Sequence, residues 1–412
     1  MQVVKFAYFD EFHCTGPECL DSCCKEWSIL LTKKEYLDYK KTDFSPKVKD
    51  IMENAFFRVR NKELQNDLHY VGMKLKENGD CPFLDDDHLC MLQKEKGEGA
   101  LSFTCSVFPR LLAAVGDEAY ICACSVTCPH VVEILMQHPE GLALVEEEYD
   151  GSSAFLNRKL YSSPITPKSW EGYPYYWAIK NAQLDILQNR SFTIPERMLI
   201  LGFFCQKAND YINKNEGEKI AGLANTLLDN EMCKKIADSL KAPQSDVSAA
   251  TKSVDIIGKM KSCVKNVSDA REQLAASFEK VADSIGYELE TINGESTMTF
   301  SFEKYCKNLN VYREIEDNRS YIIENLLVNL VFMQALNQGV WFNYFTTVIF
   351  YNSLKLCIPA LLKENWTDSD LAAAITESAK MVLNTHIADK KILMSFVDNQ
   401  SYTLPHAAFL IG

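Results

Sequence analysis

Ten of the fifteen cysteines in this chain fall within its first 128 residues, at positions 14, 19, 23, 24, 81, 90, 105, 122, 124 and 128. The stretch ECLDSCCKEW, residues 18–27, alone holds three. A segment that gathers thiols so densely has to fold around whatever uses them. The N-terminus, MQVVKFAYFDEFHC, has no basic start, long apolar run or small-residue cleavage site, so it reads as cytoplasmic. In a reducing compartment a disulfide framework is not expected, and an odd total leaves one cysteine over. Small core residues are the plainer use of free cysteine. At this density a soft metal centre explains them better.

The spacing runs Cys14-x4-Cys19-x3-Cys23-Cys24, then Cys81-x8-Cys90-x14-Cys105, then Cys128. Eight thiols suit two zinc sites of four cysteines each, or one four-cysteine iron–sulfur cluster with four thiols left over. On a helical turn Cys19 and Cys23 share a face, with Cys24 turned away from it. The long spacings of Cys81, Cys90 and Cys105 bring three separate turns to one point, so these three are expected at the main site, completed by Cys19, Cys23 or Cys24. Cys23 and Cys24, being adjacent, are expected to divide between ligand and support. The C-x3-C-x2-C spacing of radical S-adenosylmethionine enzymes is absent, because Lys25 and Glu26 follow Cys24. Cys122 and Cys124 alternate on a strand and read as structural. Cys205, Cys233, Cys263, Cys306 and Cys357 sit singly on apolar helical patterns and read as core. The run Asp85-Asp86-Asp87-His88 lacks the spacing of a calcium loop and reads as a solvated turn.

The predicted fold is mainly α: a cysteine-rich N-terminal domain of loops and short strands over 1–150, then a multi-helix domain over 168–412. A strand is expected over 27–31, followed by a helix over 33–40 that Thr32 and Glu35 cap reciprocally. A hairpin turning at Gly116-Asp117 follows, then a helix with Cys128 as N-cap and Pro129 at its first position, where the dipole favours a thiolate. The Ser- and Pro-rich residues 151–168 mark a linker. Helical periodicity covers 195–214, 219–240, 264–286, 321–336, 340–357 and 369–387. The stretch KAPQSDVSAATKS, 241–253, reads as a loop that breaks the helical part in two, and 290–302 as a hairpin. Asn325 and Asn329, one turn apart beside Glu324, read as buried amides or as the lining of a cleft. Aromatics crowd SWEGYPYYWAIK, 169–180, where packing is the first explanation and a cation cradle the second.

The formal net charge of −13 disfavours nucleic acid or an anionic membrane surface as the main partner and is compatible with a cationic substrate group such as lysine. Asparagines and glutamines interrupt the apolar region 321–362, so no membrane span is expected there. No phosphate-loop, nucleophile-elbow or dinucleotide fingerprint occurs.

Taken in order, FHCTGPECLDSCCKEWSILLTKKEYLDY, NGDCPFLDDDHLCMLQKEKGEGALSFTCSVFPR and DEAYICACSVTCPHVVEIL resemble the N-terminal part of the flagellin lysine-N-methylase (FliB) family. AIKNAQLDILQNRSFTIPERMLILGFF and YIIENLLVNLVFMQAL resemble its later part. The resemblance implies a bacterial cytoplasmic enzyme that methylates flagellin lysines with S-adenosylmethionine and carries a [4Fe–4S] cluster. It also implies that the family's cysteine pattern maps onto Cys14, Cys19, Cys23, Cys24, Cys81, Cys90, Cys105 and Cys128. Phe108-Pro109-Arg110 meets the family's Arg-Pro-like stretch, while His386 alone matches an Arg and His-Asn pattern near the C-terminus. Catalytic and cofactor-binding residues are not assigned. The alternative from another class is a non-catalytic protein whose cysteines bind zinc or iron–sulfur for structure, redox sensing or recruitment.

Overall fold

The computed structural model describes residues 2–25, 29–59, 69–148, 165–241, 247–264, 272–292, 295–383 and 402–412. The chain is mainly helical. It opens on strand β1 (Gln2–Phe6) and then leaves that strand's sheet for a long excursion. The excursion runs through β2 (Leu30–Leu31), α1 (Lys33–Lys41), α2 (Pro46–Asn54), β3 (Phe56–Arg58), β4 (Val71–Met73), α3 (Met91–Lys96) and α4 (Phe103–Val107). The chain returns through β5 (Arg110–Val115), β6 (Ala119–Cys124), α5 (Pro129–Met136) and β7 (Leu144–Glu148).

In the first sheet the order is β5-β6-β1-β7, with β1 parallel to β6 and antiparallel to β7. An interior strand is buried on both faces, which explains why QVVKF does not alternate cleanly. Lys5 lies in this strand with its stem covered, and its Nζ reaches out to Asp10 (2.7 Å) and Glu147 (2.8 Å). The β5–β6 hairpin turns at Gly116, whose φ of +56° the turn requires. A smaller antiparallel sheet, β2-β4-β3, belongs to the excursion. With α1 to α3 it encloses a core of its own, including Leu31, Phe44, Val48, Val71, Met73, Phe83 and Leu92.

The helical part comprises α6 (Tyr176–Gln188), α7 (Ile194–Asn213), α8 (Lys219–Thr226), α9 (Asn230–Leu240), α10 (Val247–Val264) and α11 (Glu272–Ile285). The hairpin β8 (Glu288–Ile292) and β9 (Glu295–Thr299) follows, then α12 (Phe302–Met333), α13 (Val340–Leu361), α14 (Asp368–Leu383) and α15 (Leu404–Ile411). Helix α13 is buried nearly all round and sits at the centre, touching α7, α10, α11, α12, α14 and α15. No described helix is long and apolar enough to cross a membrane.

The sheet of β1, β5, β6 and β7 shares one hydrophobic core with these helices. Buried amides join the two. Asn329 Nδ2 donates to the Cys124 carbonyl (3.0 Å) and its Oδ1 accepts from Tyr8. Asn325 Nδ2 donates to the carbonyls of Leu135 and His138 at the end of α5, both at 2.9 Å. The pair therefore clamps α12 to the cysteine-rich part and does not line a cleft. Beside them Glu324 accepts from Arg190 and from Arg197 (2.6 Å).

Three expectations need correction. Of the loop expected at 241–253, residues 247–253 are helix and 242–246 lie outside the described residues: Ala250, Val254 and Ile257 are buried at helical spacing, while Ser248 is exposed and Thr251 half-buried. The strand expected over 27–31 is reduced to Leu30–Leu31, with residues 26–28 outside the described residues. The helix expected from 321 starts at Phe302, with a break in helical geometry at Arg319 (φ −138°, ψ 43°) close to the expected start. Most of the 151–168 linker, with residues 149–164, lies outside the described residues, although Ile165 already bridges to Val115 at the sheet edge.

Candidate metal centre

Between the small core and the large one lies a cavity of ≈ 370 Å3 whose lining includes Cys14, Cys19, Cys23, Cys24, Cys81, Cys90, Cys105 and Cys128. These are the eight cysteines singled out by spacing and resemblance. Cys122 and Cys124 are buried in the large core instead. Cys205, Cys233 and Cys357 are buried in the helices, Cys306 is half-buried there, and the side chain of Cys263 lies outside the described residues.

Each thiol is placed by a local device. The Cys81 N–H donates to the Cys24 carbonyl (2.7 Å), and a bridge between Lys25 and Asp80 holds the two loops side by side. Leu84 bridges to Cys90, which caps the N-terminus of α3. The acidic run is the solvated turn between them: Asp85 accepts from the N–H groups of Asp87 and Leu89 and pairs, as Asp87 does, with Lys94. Ser102 caps α4 by accepting from the Cys105 N–H (3.1 Å). Glu35, while completing the capping box of α1, accepts from the Phe103 N–H and so ties α4 to α1. Cys128 caps α5.

The thiols form two neighbourhoods. Cys24, Cys81, Cys90 and Cys105 belong to the small core or pack against it. Cys128 belongs to the large core and interacts with Cys19 and Cys14 as well as with Cys124. Cys23 hydrogen-bonds to Cys24 and lies near both Cys105 and Cys14. The expected helical face shared by Cys19 and Cys23 does not form. A 3-10 turn over Gly16–Glu18 ends at Cys19, whose backbone is extended, so Cys23 turns toward Cys24.

Burial pushes the Cys81 and Cys105 thiols up to about 12 and raises Cys90 as well. The Cys23 thiol donates to Cys24 and lowers it to about 7, while Cys23 itself is raised. The helix N-terminus does not win at Cys128: desolvation raises its thiol to about 11 despite the N–H groups of Val131 and His130.

Tyr39 stands among Cys81, Cys90 and Cys105 with its hydroxyl buried and no hydrogen-bond partner. Burial raises its pKa, so it remains a hydroxyl and can donate. A buried unpaired donor facing sulfur fits a site that accepts a sulfide- or thiolate-rich group. Among the described residues no three cysteines, histidines or carboxylates converge on a point a single ion would occupy. A zinc ion needs its sulfurs at ≈ 2.3 Å, hence about 4 Å from one another. A cluster, with iron and sulfide of its own between the ligands, takes thiols spread around a cavity.

Sequence reasoning named Phe108-Pro109-Arg110 by resemblance only, and the cavity explains the motif. Phe108 and Pro109, joined by a cis peptide bond, and Arg110 line the cavity. The guanidinium lies over the Phe12 ring (4.9 Å) and donates to the Phe12 carbonyl (2.9 Å). Lys380 of α14 also reaches the lining and pairs with Asp21, closing the cavity with the helical part. The tether is legible in the sequence only as one lysine among many. His386 lies outside the described residues.

The family model for the FliB lysine N-methylase C-terminal domain matches residues 181–410, more than half of the chain. The chain belongs to the FliB lysine N-methylase family. It is 36% identical over 169 residues to a protein named lysine-N-methylase in Salmonella typhimurium, with 40% of this chain and 38% of the relative covered. A lysine-N-methylase of Salmonella choleraesuis gives the same identity and coverage. It is 34% identical over 160 residues to the flagellar biosynthetic protein FliU of Salmonella muenchen, covering 38% of this chain and 89% of that protein. The matches to the two methylases thus span well under half of their length. No solved structure matches.

Proposed function

We propose that this FliB-family chain methylates lysine side chains of flagellin in the cytoplasm, with S-adenosylmethionine as methyl donor, and that Cys24, Cys81, Cys90 and Cys105 hold a [4Fe–4S] cluster. The observation that carries the reading is the gathering of eight thiols, Arg110 and an aromatic wall around one cavity, in a family named for lysine methylation.

A lysine amine attacks only when neutral, and with an ordinary pKa of ~10.4 fewer than about one in a thousand is neutral at pH 7. Phe12, Phe83, Phe108 and Leu92 in the lining would desolvate the incoming ammonium and lower that pKa. The amine nitrogen then bonds to the sulfonium methyl carbon as the sulfur–carbon bond breaks, and S-adenosylhomocysteine leaves with the electron pair. The amine's proton passes to water or to a carboxylate. Asp21 is engaged with Lys380, so Glu98 is the lining carboxylate in place to take that proton. Arg110, fixed by Phe12, is suited to the donor's carboxylate. Tyr39, held as a hydroxyl, would donate to the cluster or its thiolates. When bound, the cluster supplies an iron-bearing face for the donor's amino-acid end and fixes the loops that carry its ligands.

Calorimetric titration of S-adenosylmethionine against holo-protein and cluster-free protein, each first checked for fold by circular dichroism, tests the assignment. Holo-protein is expected to bind and the cluster-free form to bind at least tenfold more weakly. Equal affinity in two equally folded forms would exclude the cluster from the donor site, and full iron retention by Cys90→Ser would remove Cys90 from the ligand set.

A further inference from the structure

The wall of the thiol-lined cavity comes from residues 12–129, with one exception. Lys380, in the last turn of α14, enters it from the helical part, where α14 packs against α5. Among the described residues it is the only lysine in the lining. Its neighbours Met381 and Val382 are buried, so the helix is anchored where the side chain leaves it. The four-carbon stem carries Nζ to the Asp21 carboxylate, and the two side chains are largely shielded, 20% and 22% exposed. Asp21 is held in turn, since its carbonyl accepts from the Cys19 thiol (3.0 Å). A strap between the two parts of the molecule would serve as well outside the cavity. This one sets an amine, beside a carboxylate, in the space to which a substrate lysine has to bring its own.

We propose that Lys380 is an internal methyl acceptor: the chain methylates its own lysine in the cavity, where Asp21 holds the amine as it would hold that of an incoming lysine. The inference rests on the reading that methyl transfer takes place in this cavity. In the step, Nζ gives up a proton to water and its lone pair bonds to the sulfonium methyl carbon. The sulfur–carbon bond breaks, and S-adenosylhomocysteine leaves with the electron pair. Methyl-lysine keeps its positive charge, so the pairing with Asp21 survives the first transfer. A tethered acceptor needs no encounter, because positioning replaces a high concentration of free lysine. Two amines do not fit beside Asp21 at once, so a flagellin lysine has to displace Lys380 and the two acceptors compete.

Iron-loaded full-length protein at several concentrations is incubated without oxygen with methyl-labelled S-adenosylmethionine, and the label is mapped by mass spectrometry after cleavage at residues other than lysine. Label at Lys380 is expected at least tenfold above that at Lys363, whose side chain is 80% exposed. Its rate per molecule is expected not to change with protein concentration, to fall at least threefold with excess flagellin, and to vanish in Lys380→Arg. A footprint without turnover accompanies this: S-adenosylhomocysteine is expected to slow acetylation of Lys380 by acetic anhydride at least threefold and to leave Lys363 unchanged. Flagellin labelled while Lys380 stays unlabelled would overturn the internal acceptor and leave the proposed function standing. Label spread equally over exposed lysines, a rate per molecule that rises with protein concentration, or S-adenosylhomocysteine that binds by calorimetry without shielding Lys380 would overturn it too. Folded, iron-loaded protein that labels neither flagellin nor Lys380 would instead contradict methyl transfer itself, so the two failures are distinguishable.

Discussion

Lys180 has its Nζ sealed among apolar side chains and donates to the Val331 and Gln334 carbonyls at the end of α12. Burial lowers its pKa to about 7. At Lys180 the folded protein therefore binds less proton than the unfolded chain between pH 7 and the ordinary lysine range, so this residue's contribution to stability rises with pH across that window; below it the buried charge is carried at full cost. Lys180→Met should flatten the rise by up to about 1.4 kcal/mol per pH unit between pH 7.5 and 9.5, read by urea unfolding at each pH. A variant with the wild-type slope would contradict the assignment. Glu324, only 2% exposed, neutralises the buried Arg197. Glu324→Gln leaves that guanidinium unpaired and should cost about 3–5 kcal/mol, seen as a lower denaturation midpoint; a change within error would show that Arg197 finds another partner.

At the scale of the element, the box of Thr193 and Glu196 starts α7, and Glu196 also accepts from Lys234 (2.8 Å) and Lys241 (3.2 Å) on or beside α9. Burial acts to raise this carboxyl, but the lysines and Thr193 hold it at about 2. Its contribution is present above the ordinary carboxylate pKa and lost as pH falls toward 2, so Glu196→Gln should be less stable at pH 6 and converge with wild type in acid. Thr193→Ala should cost about 1 kcal/mol at pH 6. Such local signals were legible: the cap of α1, Pro129 at the start of α5, the Gly116 hairpin and the periodicity of the late helices all depend on neighbours in sequence. Strand β1 was not, because its partners lie more than a hundred residues away and an interior strand lacks alternation. Helix α10 was missed because Ser248, Thr251 and Lys252, set among its buried positions, look like a loop when the buried stripe is not weighed.

For the whole molecule, the thiol pool was legible because clustering in sequence survived into space, but its division was not. It depends on the excursion between β1 and β5 having a core of its own, to which Cys81 belongs and against which Cys24, Cys90 and Cys105 pack. Asn325 and Asn329 read first as buried amides, and the packing of α5 and β6 against α12 supplies their partners. The central claim, methyl transfer to flagellin lysines, is tested most directly by incubating iron-loaded protein with methyl-labelled S-adenosylmethionine and unmethylated flagellin without oxygen, then mapping label by peptide mass spectrometry. The account predicts label on flagellin lysines, at least tenfold less of it with Arg110→Ala, and none when Cys24, Cys81, Cys90 and Cys105 are all replaced by serine. Folded, fully iron-loaded protein that leaves flagellin unlabelled would contradict it.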